Sequence, residues 1–239
     1  MNVLLAGQKW FGAEVFRALR VLPGVTIAAV CAPAEGKDRL AGQARLYSVP
    51  LVPAGTLNAK TMPDGIDLIV AAHSHDFIGE RTRQRARWGG IGYHPSLLPL
   101  HRGRDAVRWA VRMRERVTGG TVYRLSNRMD GGHILAQQHV LIRPDDTPEE
   151  LWRRDLAPLG VALIARVVAD FASGGYQHGA EQDEELATWE PSIDRPPAYR
   201  PDLLMLPAPG RTSADEDDDT LRDVIGLERA RASALNRIG

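Results

Sequence analysis

The chain has 239 residues, 44% of them hydrophobic, with 30 basic and 30 acidic side chains and a formal net charge of zero. That length fits one ordinary domain with an appendage and an apolar core. The neutral balance argues against a dedicated nucleic-acid binder, one cysteine cannot form an internal disulfide, and no stretch reaches the roughly 20 apolar residues of a membrane helix.

Residues 3–6 read as a buried strand, and no basic leader precedes them, so a cytoplasmic protein is expected. Residues 13–19 follow with Val15, Phe16 and Leu19 at helical spacing. Residues 25–30 form a second strand, and Cys31 at its end reads as a core thiol. Residues 68–72 and 91–94 are two more strands, and a helix is expected over 105–113. Apolar strands that do not alternate, separated by helical patterns, predict an α/β fold. The expected architecture is a Rossmann-like, doubly wound, mostly parallel sheet covered on both faces.

The pattern then changes. Residues 120–125 and 133–142 read as longer strands joined by the loop 126–132. That loop is too short for a crossover, so the pair is an antiparallel hairpin near the end of the sheet. Thr147-Pro148-Glu149-Glu150 is a capping box. It opens one helix with Trp152, Leu156, Leu159, Leu163, Val167 and Phe171 along a stripe, ended by Ser173-Gly174-Gly175. The expected domain is residues 1–190. Five prolines between 196 and 209 and the acidic run 215–219 mark 191–219 as a disordered linker. Residues 220–239 are expected to form a short helix.

Five sequence features bear on chemistry. The first turn, Gly7-Gln8-Lys9-Trp10-Phe11-Gly12, lacks the middle glycine of a dinucleotide fingerprint, which argues against NAD. His94 ends a buried parallel strand just before Pro95, at the strand end where open α/β sheets bind ligands. Asp130 precedes Gly131 and Gly132 in the hairpin loop, a pattern equally at home in a plain turn. His73, His75, His94, His101 and His133 have no spacing that fixes a third ligand, so no metal site is expected. Arg81, Arg83, Arg85 and Arg87 read as a solvated surface.

Two of these segments together carry a family resemblance. His94-Pro95-Ser96-Leu97-Leu98-Pro99 with His101-Arg102-Gly103, followed by Met129-Asp130-Gly131-Gly132-His133, resembles the two motifs of the folate-dependent formyltransferases. The resemblance covers about residues 1–180. Within the family, the hydrolase domain of 10-formyltetrahydrofolate dehydrogenase has a similar opening and also a tyrosine before the histidine, like Tyr93. Methionyl-tRNA formyltransferase resembles the chain in its first part.

The resemblance implies a formyltransferase fold and 10-formyltetrahydrofolate as cofactor. It makes His94 and Asp130 the catalytic pair. It puts the pterin against Phe77, Ile78, Met129 and the Asp130 loop. A small-molecule amine or water would take the formyl group; initiator tRNA is not expected, because the remaining residues are too few for a partner barrel.

One departure stands out: most family transferases carry asparagine two residues before the histidine, and here the residue is Gly92. Loss of one such donor costs on the order of 100-fold in rate. Asn127 and His75 are candidate replacements. Three functions stay open: formyl transfer to an amine, hydrolysis to formate, and folate binding without catalysis.

Overall fold

The computed structural model describes residues 1–74, 76–175 and 178–193. The expected linker beyond 193 and the helix 220–239 lie outside the described residues.

Seven strands form one sheet in the order β3-β2-β1-β4-β5-β6-β7. They are β1 (Asn2–Gly7), β2 (Thr26–Ala32), β3 (Leu51–Pro53), β4 (Leu68–Ala72), β5 (Gly90–His94), β6 (Val117–Arg124) and β7 (Ile134–Leu141). The first five are parallel, and β6 and β7 run antiparallel. The apolar runs became the parallel strands because both sheet faces are covered. Val3, Leu5, Val70 and Ile91 face one layer with α1 (Lys9–Arg20) and α6 (Ala157–Ala172). Leu4, Ala6, Cys31 and Ile69 face another with Leu57, Met62, Ile78 and Ala86. The second layer is made largely by loop residues and the short α3 (Glu80–Arg83).

Two short elements had no clear sequence signal: β3, and α2 (Arg39–Leu46), whose first turn is capped by the Asp38 carboxylate. The helix α4 (Ala106–Arg112) lies within the expected span. The capping box at Thr147 forms in full and starts α5 (Pro148–Leu151). The long stripe beyond it is not one regular helix: Trp152–Leu156 is a π-turn between α5 and α6. Its last carbonyl is bonded from β5. The Tyr93 hydroxyl donates to the Leu156 carbonyl at 2.7 Å. Room for that phenol comes from Gly120 and Gly160, where a Cβ would lie 2.3 and 2.6 Å from Tyr93 atoms. Strand β5 is thereby anchored from the face opposite His94.

Among the described residues no helix is long and apolar enough to cross a membrane.

Candidate active site

His94 is the last residue of β5 and is 6% exposed. The chain after it curls back, and β6 and β7 pin the curl. Thr121 Oγ1 donates to the Ser96 carbonyl at 2.7 Å and accepts from Leu98 N at 3.2 Å. Gln137 Nε2 donates to the Leu98 carbonyl at 2.9 Å. The curl delivers the His101 carbonyl to 2.6 Å from His94 Nε2. A carbonyl can only accept, so Nε2 carries the proton and Nδ1 is the nitrogen turned to the site.

Asp130 comes from the hairpin loop with φ of +50°. A short polar side chain tolerates this left-handed conformation better than most. Its Oδ2 accepts from Gly103 N at 2.8 Å and its Oδ1 from the Tyr123 hydroxyl at 2.5 Å. Oδ2 lies 3.6 Å from His94 Nδ1. That is too long for a hydrogen bond and short for an ion pair, so imidazole and carboxylate face one spot without being locked together. Burial, and then the charge of Asp130, push the Tyr123 phenol well above its ordinary value of 10.0, so it stays a donor.

A polar girdle fixes the two loops. Arg102 is 1% exposed. Its guanidinium donates to Gln182 Oε1 at 3.1 and 2.8 Å, and to both Glu184 oxygens at 2.9 Å. Gln182 Nε2 in turn donates to the carbonyls of Asp130 at 2.8 Å and Gly132 at 2.6 Å. His101 is clasped between Glu115 at 2.8 Å and Glu190 at 3.0 Å.

The remaining expected residues divide. Phe77 and Met129 are 82% and 62% exposed and present apolar surface. Ile78 is buried in the second core layer, so its side chain has little face left for a ligand. Asn127 accepts from Arg83 through Oδ1 and donates to Glu80 through Nδ2, which ties its amide to α3. Arg83 is itself buried, not solvated: it donates to the Ile78 carbonyl at 2.6 Å. His75 lies outside the described residues. Among the described residues no three His, Cys, Asp or Glu side chains gather as metal ligands would.

Sequence reasoning missed Tyr123, Gln182 and the Gly103 amide. Tyr123 was findable in principle, since the β5–β6 register sets it opposite Gly92. A cavity of about 820 Å³ opens on the same sheet edge, by the ends of β1 and β2. It is lined by Lys9, Trp10, Lys37, Arg39, Trp152 and Arg153, with Asp38 and Glu149.

Comparison with known proteins gives a consistent picture. Residues 55–168 match the family described as formyl transferase. The cytosolic 10-formyltetrahydrofolate dehydrogenase of Homo sapiens is 32% identical over 202 residues, which are 80% of this chain and 22% of that protein. The chain thus spans about a fifth of the length of such relatives. The methionyl-tRNA formyltransferase of Thermotoga neapolitana is 27% identical over 82% of this chain and 66% of its own length. The crystal structure of phosphoribosylglycinamide formyltransferase from Bacillus halodurans superposes with a TM-score of 0.62 at 22% identity, covering 74% of this chain and 97% of that one. At that identity the match establishes the fold.

Proposed function

Because the chain carries a formyl transferase domain, we propose that it moves the formyl group of 10-formyltetrahydrofolate onto an amine, with His94 and Asp130 as the reacting pair. The observation that carries this reading is the 3.6 Å approach of His94 Nδ1 and Asp130 Oδ2, delivered by a strand tip and a separate hairpin loop. The site suits such a cofactor. Phe77 and Met129 offer apolar surface for a flat ring, and His94 lies at the end of a parallel strand.

The cofactor supplies a formyl group on nitrogen, which resists attack until its oxygen is polarised. With Nε2–H held by the His101 carbonyl, a second proton on Nδ1 makes the ring an imidazolium, and Nδ1 then donates to that oxygen as negative charge develops on it. The His101 carbonyl keeps the ring turned so that Nδ1 faces inward. Asp130 Oδ2 takes the proton from the attacking nitrogen and returns it to the folate nitrogen as the bond between that nitrogen and the formyl carbon breaks. The ends of β1 and β5 are two strand spacings apart, about 10 Å. The basic cavity beside β1 therefore suits the anionic remote part of an amine acceptor.

Hydrolysis is the second reading, favoured by the side-chain-free position at Gly92 and by the likeness to the dehydrogenases. Tetrahydrofolate release, followed with and without a panel of amines, separates the two: release without any amine favours water as acceptor. Asp130→Asn should lower turnover about 10²–10⁴-fold and His94→Ala about 10²–10³-fold, each in a chain that still folds cooperatively, so that the loss is read on the folded fraction. Near-wild-type turnover in either variant overturns its role.

A further inference from the structure

Gly92 lies two residues before His94 on β5 and pairs across the sheet with Tyr123 on β6. Directly opposed residues share a face. A Cβ at position 92 would lie 3.2 Å from the Tyr123 hydroxyl, 3.3 Å from its ring Cε1 and 3.1 Å from Leu125 Cδ2. Carbon atoms pack comfortably at about 3.5–4.0 Å. The bare backbone at Gly92 is thus what lets the phenol lie where it does. From there the hydroxyl reaches Asp130 Oδ1 at 2.5 Å.

The second dihedral of aspartate is broad and roughly two-fold, so an untethered carboxylate swings. Asp130 has two donors on its carboxylate. The Gly103 amide holds Oδ2, the oxygen that faces His94, and among the described residues Tyr123 alone holds Oδ1. With Oδ1 tied back, the rotation that sends Oδ2 to His94 is fixed. Tyr123 is 7% exposed, so water does not compete for that bond.

We propose that Tyr123 is the positioning residue for Asp130, and that Gly92 is the space that admits it: the hydroxyl sets the carboxylate rotation that presents Oδ2 to the imidazole. The inference rests on the formyl-transfer reading for its kinetic consequence, and on the geometry alone for its structural one.

The test is a cycle on the full chain. Tyr123→Phe keeps the ring and removes only the hydroxyl. It should lower kcat about 10- to 100-fold, the worth of a hydrogen bond to a charged group, with KM for 10-formyltetrahydrofolate within about twofold. Gly92→Ala should push the phenol off Asp130 and lower kcat by a similar factor. The double variant should be no worse than Tyr123→Phe alone, because both changes remove one contact. Tyr93→Phe is the structural control: it loses a buried phenol bond on the opposite face and should change stability more than kcat.

Additive losses in the double variant, or a kcat within twofold of wild type in Tyr123→Phe, overturn the proposal. If the wild-type chain turns over no 10-formyltetrahydrofolate, the formyl-transfer reading fails separately. The His94 ring resonances at one fixed pH then decide this inference. They should move in Tyr123→Phe and in Gly92→Ala but not in Tyr93→Phe; unmoved resonances overturn it.

Discussion

The parallel half of the sheet and the polar girdle at its edge are held by different physics. In the sheet, Val3, Leu4, Leu5, Ile69, Val70 and Ile91 are 0% exposed and pack into the apolar layers on either face. In the girdle, Arg102 meets Gln182 and Glu184 across 80 and 82 positions of sequence, and Gln182 meets the Asp130 loop across 52. Apolar contact is non-directional and tolerates small shifts in each member. A hydrogen-bonded girdle needs every donor opposite its acceptor, and one loss leaves a buried group unpaired. The sheet therefore gives the molecule its stability, while the girdle gives the site its geometry.

That division has measurable edges. Leu5→Ala on the central strand should cost about 2–5 kcal/mol, read as a lower denaturant midpoint, and leave kcat of the folded fraction unchanged. Arg102→Met should cost less, about 2–3 kcal/mol, because Glu184 is half exposed and its ion pair is screened. Yet it should lower kcat about tenfold, since the freed Gln182 no longer holds the carbonyls of Asp130 and Gly132 in register. If Leu5→Ala and Arg102→Met change stability and kcat in the same proportion, the two regions are not distinct.

The same division governs what the sequence revealed. Strands β1, β2, β4 and β5 were legible because burial on both faces leaves continuous apolar runs. The hairpin and the capping box were legible from local chemistry. Helix α2 was not: its buried residues are Leu40 and two alanines, Ala41 and Ala44, which give little periodic contrast. The π-turn was not either: no local signal marks it, and Tyr93, which bonds its last carbonyl, lies 63 residues away. At the site, His94 and Asp130 stood out as motif residues. Tyr123 and Gln182 did not, because a hydrogen bond across a sheet or between distant loops leaves no period in the chain.

His101 sharpens the comparison by the smallest step, because it answers to pH. Burial alone pushes its imidazole down, but the Glu190 and Glu115 carboxylates outweigh it, and the net is upward from the ordinary 6.5. A raised value in the folded state means that the folded chain favours the charged ring. The stability this contributes is complete below the unfolded value and is lost as pH rises through the higher folded one. The thermal midpoint should therefore fall as pH rises above the ordinary imidazole value of 6.5. His101→Asn, which suits the residue's φ of +54°, should flatten that slope. Because the His101 carbonyl holds His94 Nε2, kcat should fall over the same range in the wild-type chain. A slope that survives in His101→Asn would assign the titration to another group and leave the girdle insensitive to pH.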